Sequence, residues 1–83
     1  MPKVLLVDDD VDFVNMNKTI LEKNNYSVVT AHNGTDGKTK AAAEKPDVII
    51  LDVMMTTRNE GFNTARDLRA DEATKKIPII MLT

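Results

Sequence analysis

Four aspartates and a threonine stand directly behind short apolar runs. Val4-Leu5-Leu6-Val7 is followed by Asp8-Asp9-Asp10, Val48-Ile49-Ile50-Leu51 by Asp52, and Ile79-Ile80-Met81-Leu82 by Thr83. Carboxylates brought together repel, and at least one must hold a proton unless a cation joins them. Mg²⁺ suits such a cluster, because it takes one or two carboxylates with waters and a phosphate oxygen. Mn²⁺ has similar oxygen preferences. The cation leaves one aspartate free to attack phosphorus and form an acyl phosphate, an established covalent route. Asp8, Asp9 and Asp52 are the candidates, with Asp52 as nucleophile, and the backbone carbonyl of Met54 can add an oxygen ligand whatever its side chain.

The elements that must position these groups follow from the runs themselves. Short continuous apolar segments suit strands buried on both faces of a parallel sheet. In such sheets ligands bind beyond the carboxyl ends of the strands. Strands are expected at Lys3–Val7, Ser27–Ala31, Val48–Asp52 and 79–83. A helix over Val11–Lys23 carries a stripe of Phe13, Met16, Ile20 and Leu21 at helical spacing. Asn24-Asn25 closes it, since Asn tolerates the left-handed conformation. Asn33-Gly34 reads as a turn before a second helix over residues 35–44, where Gly37 costs about 1 kcal/mol against Ala. Pro46-Asp47 stops that helix. After a polar loop over 53–60, a third helix covers 61–70 with Phe62, Ala65 and Leu68 inward, and 71–78 leads to the last strand. Strictly alternating strands and helices predict an α/β parallel sheet.

Ordinary readings stand beside each candidate. An acidic run after a strand often caps the next helix, a role that suits Asp10 and Asp12. His32, beside the turn, reads as a solvated loop residue. Met54-Met55 reads as loop packing, because thioethers are poor ligands for a hard ion. Arg66, Arg69 and Lys75-Lys76 read as solvated faces. Thr83 alone is a weak signal and gains weight from sharing an edge with Asp52.

Eighty-three residues form one small domain, 1–83, near the lower limit of what a single core stabilises unaided. A net charge of −2 and only three aromatics, Phe13, Tyr26 and Phe62, argue against a nucleic-acid partner. Zero Cys removes disulfides and thiolate chemistry and fits a reducing cytoplasm. No signal peptide is expected at the N-terminus. No apolar stretch reaches the roughly 20 residues needed to span a bilayer.

The segments VLLVDDD, AHNG, KPDVIILDVMM, GF with RDLRA, and IPIIMLT resemble the receiver domain of two-component response regulators, in that family's order. The resemblance implies a flavodoxin-like fold with strand order 2-1-3-4. It implies a phosphoacceptor signalling domain rather than an enzyme, with Asp52 taking a phosphoryl group from a histidine kinase or phosphotransfer protein in the cytoplasm. Asp9 is then the direct Mg²⁺ or Mn²⁺ ligand, Asp8 acts partly through water, Met54 offers its carbonyl, and Thr83 is the switch hydroxyl.

Four features depart from the pattern. Thr56 stands where the family usually has Pro, Gly61 comes one residue late, and Lys38 occupies a usually apolar position. The sequence also stops before the family's fourth helix, its fifth strand with a phosphate-pairing Lys, and its fifth helix. It is thus expected to be a partial receiver, truncated after its fourth strand. An alternative reading is a structural, associating fragment with an inactive metal site. A haloacid-dehalogenase-like phosphatase would need a second Asp where Met54 stands. With the fourth strand left as an edge and the sheet faces uncovered, a homodimer through either is expected.

Overall fold

The computed structural model describes residues 1–52 and 58–82, and the side chains of all of these except Arg58 and Asn59. The element order is β1 (Lys3–Val7), α1 (Val11–Lys23), β2 (Ser27–Ala31), α2 (Gly34–Glu44), β3 (Val48–Asp52), α3 (Arg58–Ala70) and β4 (Ile79–Leu82). The four strands form one parallel sheet in the order β2-β1-β3-β4, as expected. The architecture is the flavodoxin-like one, as far as these seven elements reach.

The two central strands hold the most deeply buried side chains because helices cover both their faces. Leu5, Val7, Ala31, Ile49 and Leu51 pack with Ala41 of α2 and Leu68 of α3 in one core cluster. On the other face Leu6 and Ile50 lie along a groove with Phe13, Asn17, Ile20 and Leu21 of α1 and with Leu82. The sheet start is pinned by a reciprocal pair. The Lys3 backbone N–H donates to Asp47 Oδ2 at 2.7 Å, and the Asp47 N–H donates to the Lys3 carbonyl at 2.8 Å.

Helix ends follow local chemistry. Asp10 is the N-cap of α1, its Oδ1 accepting from the Phe13 N–H at 3.1 Å. Asn25 takes the left-handed conformation, φ 70°, just past the end of α1. Asn33-Gly34 is not a free turn. Asn33 caps α2 by accepting from the Asp36 N–H at 2.7 Å, and Gly34 is the first helical residue. Lys45 ends α2 in the left-handed region, φ 49°.

Three expectations about helix faces are corrected. In α1 the fully buried residue is Val14, whereas Met16 and Ile20 are half exposed. The sheet meets the Phe13, Val14, Asn17 and Leu21 side of the helix, slightly out of phase with the Phe13, Met16, Ile20 and Leu21 stripe. In α3, which begins at Arg58 rather than 61, Phe62 is 52% exposed while Thr64 and Leu68 are buried. Thr64 is tolerated inside because its hydroxyl donates to the Glu60 carbonyl at 2.8 Å. Arg69 is more than a solvated charge: its Nη1 donates to the carbonyls of Lys75 and Ile77 and so braces the α3–β4 connection. Buried Thr74 closes the same connection by donating to the Leu68 carbonyl at 2.7 Å.

Candidate functional site

Strand register decides where the acidic groups meet. β1 and β3 are adjacent and parallel, with Val7 opposite Leu51. Asp8 and Asp52 therefore leave the sheet side by side at its carboxyl edge, and Asp9 follows. Ligand oxygens of Asp8, Asp9 and Asp52 all lie within 4.8 Å of one another. The three residues singled out by sequence are thus brought together. Met54 and Thr83, assigned a carbonyl ligand and a switch hydroxyl, lie outside the described residues, as do Val53, Met55, Thr56 and Thr57.

The three carboxylates differ in environment. Asp8 is buried at 6% exposure, Asp52 is half-buried and Asp9 is exposed. The Asp8 backbone N–H donates to the Ala31 carbonyl at the end of β2, and its Oδ1 accepts from the Asp10 N–H at 3.0 Å. The Asp8 carboxyl is raised in all from 3.8 to about 6, chiefly by burial, against which the Asp10 N–H acts. The charge of Asp52, the hydrogen bond that a protonated Asp8 shares with Asp52, and the charge of Asp9 make the smaller upward contributions to that value. A buried acid with two further carboxylates beside it is a group that favours a cation partner. The donor set is all oxygen, which fits a hard divalent ion such as Mg²⁺ or Mn²⁺. Asp10, by contrast, is occupied as a helix cap, and His32 is exposed, both as expected.

Two contacts join α2 to α3. Glu60 Oε2 accepts from the Gly34 N–H at 2.7 Å, and Lys38 Nζ pairs with Asp67 Oδ2 at 2.9 Å. The second explains a charged residue at position 38: it reaches across to α3 rather than into the core. Its own effect is small, since exposed pairs contribute about 0–1 kcal/mol.

Comparison with known proteins places the chain in a family. The family model described as the response regulator receiver domain matches residues 4–83. The chain belongs to the response regulator receiver family. Over its full length it is 40% identical to protein PilH of Pseudomonas aeruginosa, covering 68% of that protein. It is also 40% identical over 81 residues to the alkaline phosphatase synthesis transcriptional regulatory protein PhoP of Bacillus subtilis, covering 32% of it. Among solved structures, the N-terminal domain of a response regulator receiver protein from Methanoculleus marisnigri superposes with a TM-score of 0.91 at 36% identity. That match covers 98% of this chain and 65% of the other. Chemotaxis protein CheY4 of Vibrio cholerae gives a TM-score of 0.90 at 37% identity, covering 98% and 67%. The chain thus spans about two thirds of these receiver structures and about a third of PhoP. Receiver domains are signalling domains. Among the described residues no helix is long and apolar enough to cross a membrane.

Proposed function

We propose that this receiver chain takes a phosphoryl group on Asp52 from a histidine kinase or phosphotransfer protein, in cytoplasmic phosphorelay signalling. The observation that carries the reading is the convergence of Asp8, Asp9 and Asp52 at the carboxyl edge of adjacent strands, with Asp8 buried. Asp8, Asp9 and Asp52 are the side chains that would hold Mg²⁺ or Mn²⁺. Family likeness adds the Met54 carbonyl as a ligand and the Thr83 hydroxyl as the switch. The bound ion supplies positive charge that offsets the carboxylates and the incoming phosphoryl oxygens.

In the transfer, an Asp52 carboxylate oxygen forms a bond to phosphorus. The donor's phosphorus–nitrogen or phosphorus–oxygen bond breaks, and the leaving group keeps that electron pair. The position of Asp52 fits the step: it is half-buried at the carboxyl end of β3, which fixes its backbone. The product acyl phosphate hydrolyses readily, which suits a reversible signal.

The test is incubation with acetyl phosphate and Mg²⁺ followed by peptide mass mapping. Phosphoryl mass on the peptide holding Asp52, absent from Asp52→Asn, is the expected result. No gain by the unaltered chain, under conditions that label a full-length receiver, would favour the alternative of an inactive, associating module. All three carboxylates are present and adjacent, which favours a working site over an inactive one.

We further propose that the chain pairs with a second copy of itself. β4 is an edge strand whose Ile80 is 52% exposed, and the groove along Leu6, Ile50 and Leu82 remains open beside Ile20. Unpaired strand edges and open apolar grooves both favour association.

A further inference from the structure

We propose that Asp10 is a positioning residue for the cation site: by capping α1 it holds the stretch of backbone that orients Asp8 and carries Asp9. The inference rests on the reading of Asp8, Asp9 and Asp52 as a divalent-cation site. It goes beyond that reading by giving the third aspartate of the run a part in the site without making it a ligand.

Asp10 is bonded in both directions along the chain. Towards α1, its Oδ1 accepts from the Phe13 N–H at 3.1 Å and its carbonyl accepts from the Val14 N–H at 3.0 Å. Towards the site, its own N–H donates to Asp8 Oδ1 at 3.0 Å. Its backbone is extended, φ −85° and ψ 104°, the conformation a capping residue takes. The cap and the bond to Asp8 therefore depend on one backbone geometry, and the Asp10 side chain helps to fix it.

Both ends of the Asp8–Asp10 stretch are tied to buried structure. The Asp8 N–H donates to the Ala31 carbonyl at the end of β2, at 3.0 Å. At the other end Val14, which is fully buried, seats the first turn of α1. Asp9 lies between these anchors, so its backbone is held although the residue is exposed.

The effect on the site passes through Asp8. Asp8 is buried, and one of its two oxygens is engaged by the Asp10 N–H. A carboxylate held by one oxygen presents the other in a set direction. An N–H bonded to a carboxylate also favours its ionised form, the form that binds a cation. Ligands ordered in advance lose less freedom when an ion arrives. The converging carboxylates are those of Asp8, Asp9 and Asp52, and that of Asp10 is turned to the helix instead.

The test is a Mg²⁺ titration of the full chain, followed by the amide NMR shifts of Asp8 and Asp9 well below the melting temperature of every variant. Thermal unfolding is measured in parallel, and the salt is kept at about 0.15 M, where charges further apart than about 8 Å are largely screened. Asp10→Ala removes both the cap and the charge. Asp10→Asn removes the charge and keeps the cap, since Asn caps helices about as well as Asp. Thr74→Val removes a buried hydrogen bond at the opposite edge of the sheet, where β4 starts. Loss of a group that orients metal ligands costs about 10–100-fold in affinity, and we expect about tenfold for Asp10→Ala. Asp10→Asn should stay within about threefold of the unaltered chain, because one exposed charge acts weakly through salt water. Thr74→Val should lower the melting temperature and leave the Mg²⁺ affinity unchanged. Equal weakening in Asp10→Ala and Asp10→Asn would reduce the effect to charge and overturn the proposal. So would unchanged affinity in Asp10→Ala, or a loss in Thr74→Val that matches it. If the unaltered chain binds no Mg²⁺, the cation reading itself fails and this inference with it.

Discussion

Asp8 combines burial with two neighbouring carboxylates, and folding makes it a weaker acid, with its pKa raised from 3.8 to about 6. The native state therefore holds this proton more tightly than the unfolded chain does. Between about pH 4 and pH 6 the native state binds more protons, so stability falls as pH rises through that window and stays reduced above it. The contribution is at most about 3 kcal/mol by the usual conversion. Asp8→Asn cannot ionise. In the presence of a chelator it should melt above the unaltered chain at pH 7, with the difference shrinking towards pH 4. A melting difference independent of pH would contradict this account of Asp8. The same substitution should weaken Mg²⁺ binding, since a carboxylate ligand is lost. In the unaltered chain, affinity should rise with pH through about 6 as the ligand deprotonates.

At the scale of elements, Gly37 lets α2 approach β1 closely. A Cβ there would stand 3.0 Å from both methyl groups of Val7, itself buried in central β1. The helical gain from Gly to Ala, about 1 kcal/mol, competes with overpacking costs of about 1–3 kcal/mol. Val7 is β-branched and stiff, so it yields poorly. Gly37→Ala should therefore lower stability by about 1 kcal/mol in denaturant unfolding. An increase would show that α2 has room to move.

Gly37 also marks where sequence reasoning stops. Its helical cost was readable, but its close approach to Val7 depends on a tertiary contact. Strands were legible because the apolar runs are continuous, and Asp8, Asp9 and Asp52 because strand ends in a parallel sheet share an edge. Helix faces were less so. Met16 and Phe62 have the right residue type, yet the face each helix presents to the sheet excludes them, and Val14 and Thr64 lie inside instead. Glu60 gave no signal at all. An acidic residue before a glycine is ordinary in a loop, and its partner Gly34 is distant in sequence.

For the whole molecule, the balance between covered and open surface sets association and metal response. Met16, Ile20, Phe62 and Ile80 are each at least half exposed. Of these, Ile80 on the outer strand β4 and Ile20 beside the groove bear on the proposed pairing. Sedimentation at micromolar concentration should show a dimer, and Ile80→Lys on the edge strand should shift it towards monomer. A compact folded monomer at that concentration would refute the pairing.

The central claim is that Asp8, Asp9 and Asp52 form one divalent-cation site. Thermal unfolding at neutral pH with and without millimolar Mg²⁺, in the unaltered chain and in Asp9→Ala, tests it most directly. A ligand that binds only the native state stabilises it by about 2.7 kcal/mol at a hundredfold excess over Kd. In a domain of this size even 1 kcal/mol raises the melting temperature by about 4–8 °C. The unaltered chain should melt several degrees higher with Mg²⁺ (about 4 °C or more), and Asp9→Ala should show little or none of that gain. No shift in the unaltered chain, or an equal shift in Asp9→Ala, would contradict the site.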